Sequence, residues 1–203
     1  MKPPDYNQIR LEQLWQELAS SVPENIARKA LVKYAPAASG EGGNFYLPFL
    51  NQEYVFSLTD KTMIASSGPI TNFIHLWVFL SYLLGTKDIP LANSWVSEKE
   101  LTDGAFFFKG PHQLYVDPIS KKFGHNREAF LKRGLELGGE KLSGYGDAAL
   151  RLPVFPRLPL LYVLWTGDEE FPPNVKILFD PTVTSHLNLD TIWGLVQIVT
   201  KHF

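Results

Sequence analysis

The chain has 203 residues, 45% of them hydrophobic and 20% charged, a balance that supplies a core and excludes disorder as the overall description. Nineteen Lys and Arg against 21 Asp and Glu leave a net charge of -2, without the positive field that would argue for nucleic acid as a partner. Cysteine is absent, which excludes disulfides, thiolate catalysis, zinc fingers and a thiolate-held iron–sulfur cluster on this chain.

The opening stretch is polar and lacks the apolar run of a secretory signal, so a cytoplasmic setting is the expectation. From Tyr6 to Ser20, Ile9, Leu11, Leu14, Trp15 and Leu18 fall mostly at helical spacing. Pro23 opens a second helix, with Ser21 as its expected cap and Pro36 as its stop. Residues 1–36 are thus expected to form an N-terminal helical segment, and residues 44–203 a single α+β domain. Between them, 37–44 reads as a Gly-, Ala- and Ser-rich connector.

Three short strands are expected at Phe45–Leu50, Tyr54–Leu58 and Met63–Ala65, with turns at Asn51–Gln52 and Asp60–Lys61. Ile70–Leu84 is the most apolar stretch. It is short of the roughly 20 residues of a membrane span and carries Asn72 and His75, so it reads as a buried helix capped by Gly85. Ser97 and Glu100 stand in capping-box spacing, and Phe106–Phe108 make an apolar tip. The chain from His112 to Leu137 reads as largely helical after Pro118.

Strands are expected again at Ala148–Phe155, Leu160–Trp165 and Lys176–Phe179, and a last helix at Asp190–Val199 capped by Asp190. Strand following strand without a helix between them implies antiparallel pairing. The fold class is therefore α+β, a mainly antiparallel sheet with helices packed on one face.

The usual catalytic fingerprints are missing: no P-loop, GxSxG, HExxH or dinucleotide-binding glycine pattern is present. Four features could still carry chemistry. Asp168, Glu169 and Glu170 could hold a hard cation or act as acid and base, or simply form a solvated turn. Asp180 at a strand end could orient His186 for proton transfer, or mark a turn before Pro181. Arg151 and Arg157 flank a strand with Pro153, Pro156 and Pro159, which places that segment at a sheet edge or in an extended arm. These arginines could clamp a carboxylate or phosphate, but pairing with the acidic turn is the favoured expectation. Finally, Trp77, Trp95, Phe106–Phe108 and Trp165 could line a pocket for a large flat ligand or form core. The five histidines make no metal motif by spacing, and His202 is expected to be exposed.

The order GGEKLSGYGDAALRLPVFPRLPLLYVLWTGDEEFPPNVKILFD, with WVSEKELTDGAFFF upstream, resembles the uncharacterised family known as domain of unknown function 3786 (DUF3786). The resemblance covers roughly Ile70 to Val199 and is most specific from Pro156 to Asp180. It implies a soluble protein of the kind found mainly in anaerobic bacteria and archaea. Some members carry an added cysteine-rich iron–sulfur segment, a role that does not carry over to a chain without cysteine. The anaerobic setting implies an association with corrinoid or other metallocofactor metabolism, and it transfers no catalytic residue.

Two functions follow as expectations. One is a binding or accessory module for a large, partly apolar ligand of tetrapyrrole type or for a redox or metallocofactor partner protein. Arg151, Arg157, Asp168, Glu169, Glu170 and Asp180 would be its polar contacts. The other is an enzyme in which Asp168, Glu170, Asp180 and His186 converge in one pocket. No cofactor is identified by the sequence.

Overall fold

The computed structural model describes residues 5–38 and 42–203, so part of the expected 37–44 connector lies outside the described residues. Two N-terminal helices, α1 (Tyr6–Ser20) and α2 (Pro23–Ala30), lead into a meander of five strands. These are β1 (Lys33–Pro36), β2 (Gly43–Phe49), β3 (Gln52–Ser57), β4 (Thr62–Ala65) and β5 (Gly68–Pro69), antiparallel in sequence order.

Then come α3 (Phe73–Gly85), β6 (Val96–Ser97), α4 (Gly104–Phe107), a 3-10 turn at Gly110–His112, α5 (Asp117–Phe123) and α6 (Arg127–Glu136). The last third holds β7 (Glu140–Leu142), β8 (Ala148–Phe155), β9 (Leu158–Trp165), β10 (Asn174–Phe179), α7 (Val183–His186) and α8 (Leu189–His202). Its strands form a second antiparallel sheet in the order β6-β10-β9-β8-β7. The fold is α+β, with two antiparallel sheets.

Alternation decides which way each strand faces. Phe45, Leu47 and Phe49 of β2 point inward, as do Leu150, Leu152 and Val154 of β8. α3 joins the two layers. Phe79 meets Phe49 at 4.8 Å and Phe155 at 5.0 Å, and Tyr82 stacks on Phe155 at 4.2 Å. α1 packs on α3, α3 on α8, and α6 on β8. Leu14, Trp15 and Leu18 of α1 share one apolar cluster with Val196 and Val199 of α8.

Several sequence expectations change here. α2 stops at Ala30, not Pro36, because Leu31 turns left-handed (φ 56°) and Lys33–Pro36 pairs with β2. Ser21 does not cap α2; its hydroxyl donates back to Glu17 O at 2.7 Å, and the cap position is Val22. Gly85 is the last residue of α3, not a left-handed cap. A Cβ there would stand 2.4 Å from His186 O, so the glycine serves a close approach. Asn188, not Asp190, caps α8 by accepting from the Thr191 amide at 2.9 Å.

The proline-rich segment is not an edge. β8 and β9 are inner strands, joined by the tight turn Pro156–Arg157. The prolines are tolerated because Pro153 faces Pro159 across a register irregularity, beyond the reach of β7, which covers only Ala149–Arg151. The first hairpin turns at Leu50–Asn51 instead of Asn51–Gln52. Leu50 is left-handed (φ 55°), and its amide donates to Val154 O at 3.2 Å, tying the two sheets together.

Candidate functional site

Three of the seven residues singled out in the sequence meet around one loop, residues 86–95. Arg157 sits in the β8–β9 turn, 9% exposed. Its Nε donates to Lys29 O at 2.5 Å, its Nη1 to Ile89 O at 2.7 Å and its Nη2 to Asp88 Oδ1 at 2.5 Å. Lys29 O is one of the carbonyls that the end of α2 leaves unpaired, and the Tyr82 hydroxyl satisfies the next, Ala30 O, at 2.8 Å. The same Asp88 carboxylate also takes Arg28. Arg157 therefore does not pair with the acidic turn.

Asp180, 3% exposed, follows the last residue of β10. It accepts from the amides of Ala92 at 3.2 Å, Asn93 at 2.9 Å and Thr182 at 3.0 Å, and from the Thr182 hydroxyl at 2.7 Å. Burial pushes its carboxyl up, but these donors outweigh burial and hold it below the ordinary value. His186 ends α7 and is 4% exposed. Its Nδ1 accepts from the Lys87 amide at 3.2 Å, which fixes the neutral tautomer with the proton on Nε2. Burial lowers its basicity, the Arg157 and Lys87 charges lower it further, and Asp180 opposes them. Nε2 is buried without a hydrogen-bond partner. The other side-chain polar atoms named here are spent on bonds to the loop, to the end of α2 or to Thr182.

The acidic turn lies at the opposite end of β10, about 20 Å from Asp180 at the rise of a strand. Asp168 accepts from the Glu170 and Phe171 amides at 2.9 and 2.7 Å, and these donors lower its carboxyl. Glu169 and Glu170 are exposed, with no ion pair among the described residues. Arg151 pairs with Glu140, its direct neighbour across the β7–β8 ladder, at 2.9 Å. Asp168 and Glu170 therefore do not converge with Asp180 and His186. Among the described residues, no three His, Asp or Glu side chains form a group able to hold a metal ion. His202, expected in solvent, is half-buried against the Phe49 ring at 5.6 Å.

The concave site lies elsewhere. A groove of about 820 Å³ runs between β10 and α5, closed at its ends by the turn after β6 and by Pro172–Pro173. Phe108, Leu114 and Val116 give it apolar walls. Lys99, Lys109, Lys121 and Lys176 stand around it, all exposed and none in an ion pair among the described residues. They outnumber its two acids, Glu98 and Asp117. Lys109 lies over the Phe106 ring at 5.3 Å and Lys176 over Trp165 at 5.6 Å, so two of the cations are braced on aromatic faces. Phe106 is 86% exposed, and Phe171, next to the groove wall at Pro172, is 67% exposed.

Of the aromatic residues considered as pocket-lining, Phe108 alone is among the groove-lining residues. Trp95 instead packs on the outer face of the second sheet with Leu161 and Val163. The signal that could have pointed to the groove is Lys176, a lone cation inside an otherwise apolar strand and next to a Pro-Pro stop. Its partners Lys99, Lys109 and Lys121 are too far away in sequence to be grouped by spacing.

The model of the family described as Domain of unknown function (DUF3786) matches residues 22–202, nearly the whole chain, and the chain belongs to that family. No curated protein and no solved structure matches it. No helix among the described residues is long and apolar enough to cross a membrane.

Proposed function

For this member of the DUF3786 family we propose a recognition module, with the groove between β10 and α5 as the place where it binds a partly apolar, negatively charged partner. The carrying observation is that four lysines, none in an ion pair among the described residues, stand around a groove with apolar walls. Ligand sites combine an apolar lining with a few convergent polar groups, and the volume falls in their usual range. The acid–base alternative loses its geometry, because its four residues stand at the two ends of β10. As a further part of this reading we infer a cytoplasmic accessory role beside a corrinoid or other metallocofactor protein in an anaerobic cell, a role that rests on the sequence resemblance alone.

The test uses 8-anilinonaphthalene-1-sulfonate, a probe that is both apolar and anionic. Its fluorescence should rise on the folded protein. Lys109→Glu combined with Lys121→Glu should weaken binding at least tenfold while leaving the melting temperature within about 2 °C, because exposed charges contribute little to stability. No enhancement, or an enhancement indifferent to the double variant, would contradict the reading.

A further inference from the structure

β6 covers only the last two residues of β10, pairing with Leu178 and Phe179. From Asn174 to Ile177 the strand has β9 on one side and, among the described residues, no strand on the other. All four of these residues line the groove. Successive side chains of a strand point to opposite faces, so four consecutive residues can border one groove only where it runs along the strand's edge. The groove is therefore an open edge of the second sheet.

The ladder shows which peptide group is left over. The Asp147 amide donates to Leu164 O at 2.9 Å, so the peptide groups of Leu164 face β8 and turn away from β10. Leu164 lies opposite Val175. That pair is consequently a non-hydrogen-bonded one, and Val175 directs its own N–H and C=O away from β9, into the groove. Neither has a protein partner among the described residues, and Val175 is only 2% exposed. Buried backbone groups are almost always paired, so this peptide unit points to an occupant that brings its own donor and acceptor.

We propose that the occupant is an extended, acidic polypeptide segment that adds itself to β10 as a further strand, continuing the line β6 abandons at Ser97. This rests on the recognition reading above and names its partner class. Main-chain bonds to β10 would supply the docking and alternate side chains the selectivity. One face of the added strand would carry apolar residues toward Leu114 and Val116, and the other would carry carboxylates toward Lys176. Asn174–Ile177 spans about 13 Å at the rise of a strand, room for a short segment. An open edge is ordinarily a hazard for unwanted pairing. Here the turn after β6 and Pro172–Pro173 close it at both ends, and Lys176 stands in its middle.

The test is a positional set of capped heptapeptides with Asp or Glu at alternate positions and Val, Ile, Leu or Phe between, titrated against the full chain. At least one member should bind and slow exchange of the Val175 amide tenfold or more. N-methylation of that member at alternate residues, in whichever phase faces β10, should weaken it at least tenfold. Lys176→Glu should do the same. Val175→Pro, which removes an N–H that β9 does not use, should abolish binding; Lys176→Glu keeps the test decisive if the proline variant fails to fold. Equal binding of both N-methylated phases would overturn strand addition. Failure of every peptide while 8-anilinonaphthalene-1-sulfonate still binds would overturn this proposal and leave the recognition reading standing. Failure of both would overturn both.

Discussion

The clamp around residues 86–95 and the groove beside β10 both gather charged side chains, and they treat those charges in opposite ways. In the clamp, Arg157 and Asp180 have nearly every donor and acceptor matched by a backbone group of the loop or its neighbours. In the groove, four ammonium groups and the Val175 peptide have no such partner among the described residues. A buried charge that is fully bonded fixes a conformation. A charge left exposed beside apolar walls can be used by another molecule. Three of the residues that look most chemical in the sequence, Arg157, Asp180 and His186, are thus inward structural fasteners, while the lysines that look ordinary surround the concave surface.

Substitutions can break this contrast. The largest effect belongs to Arg157→Lys. An ammonium cannot reproduce the fork to Lys29 O, Ile89 O and Asp88. The loss should be about 2–4 kcal/mol, or roughly 5–12 °C in Tm, measured by thermal unfolding.

Asp180→Asn comes next, at about 1–3 kcal/mol near neutral pH by urea unfolding. The folded-state carboxyl is held below its ordinary value, so its contribution is present above about pH 4 and is lost as pH falls through the folded pKa. The gap between variant and parent should therefore narrow toward acid.

His186 gives a smaller signal in a different window. Its folded form resists protonation, so the unfolded state takes up protons first as pH drops below about 6.5, and stability falls. His186→Asn should flatten part of that slope. The smallest effect is expected of Glu170→Ala, within about half a kcal/mol, because its side chain is exposed and makes no ion pair among the described residues.

Six of the strands and the buried helix were legible because apolar patterns report burial directly, as in Phe45–Phe49 and Phe73–Leu84, whereas β1, β5, β6 and β7 are short and show no such pattern. Caps were less so. Asn188 and Asp190 are both good cap residues, and only the tertiary position of α8 chooses between them. The β8–β9 hairpin was misjudged as an edge because proline argues from what it cannot donate, and the sequence does not show that Pro153 would face Pro159. Asp180, His186 and Arg157 stood out by residue type, but half of their partners are backbone groups of residues 87–93, which carry no signature in side-chain identity. The groove was the hardest to find. Its lysines come from four separate segments, and its bare edge exists only because β6 stops at Ser97.

The central claim is that holding the fold and recognising a partner are assigned to different charges, and one paired measurement tests it most directly. Melting temperature and 8-anilinonaphthalene-1-sulfonate affinity would be measured on the parent, on Arg157→Lys and on the Lys109→Glu, Lys121→Glu double variant. The account predicts a crossed result: Arg157→Lys melts several degrees lower and binds as the parent does below its melt, while the double variant melts like the parent and binds at least tenfold more weakly. Loss of binding in Arg157→Lys below its melt, with binding retained in the double variant, would contradict the account and move the site to the clamp.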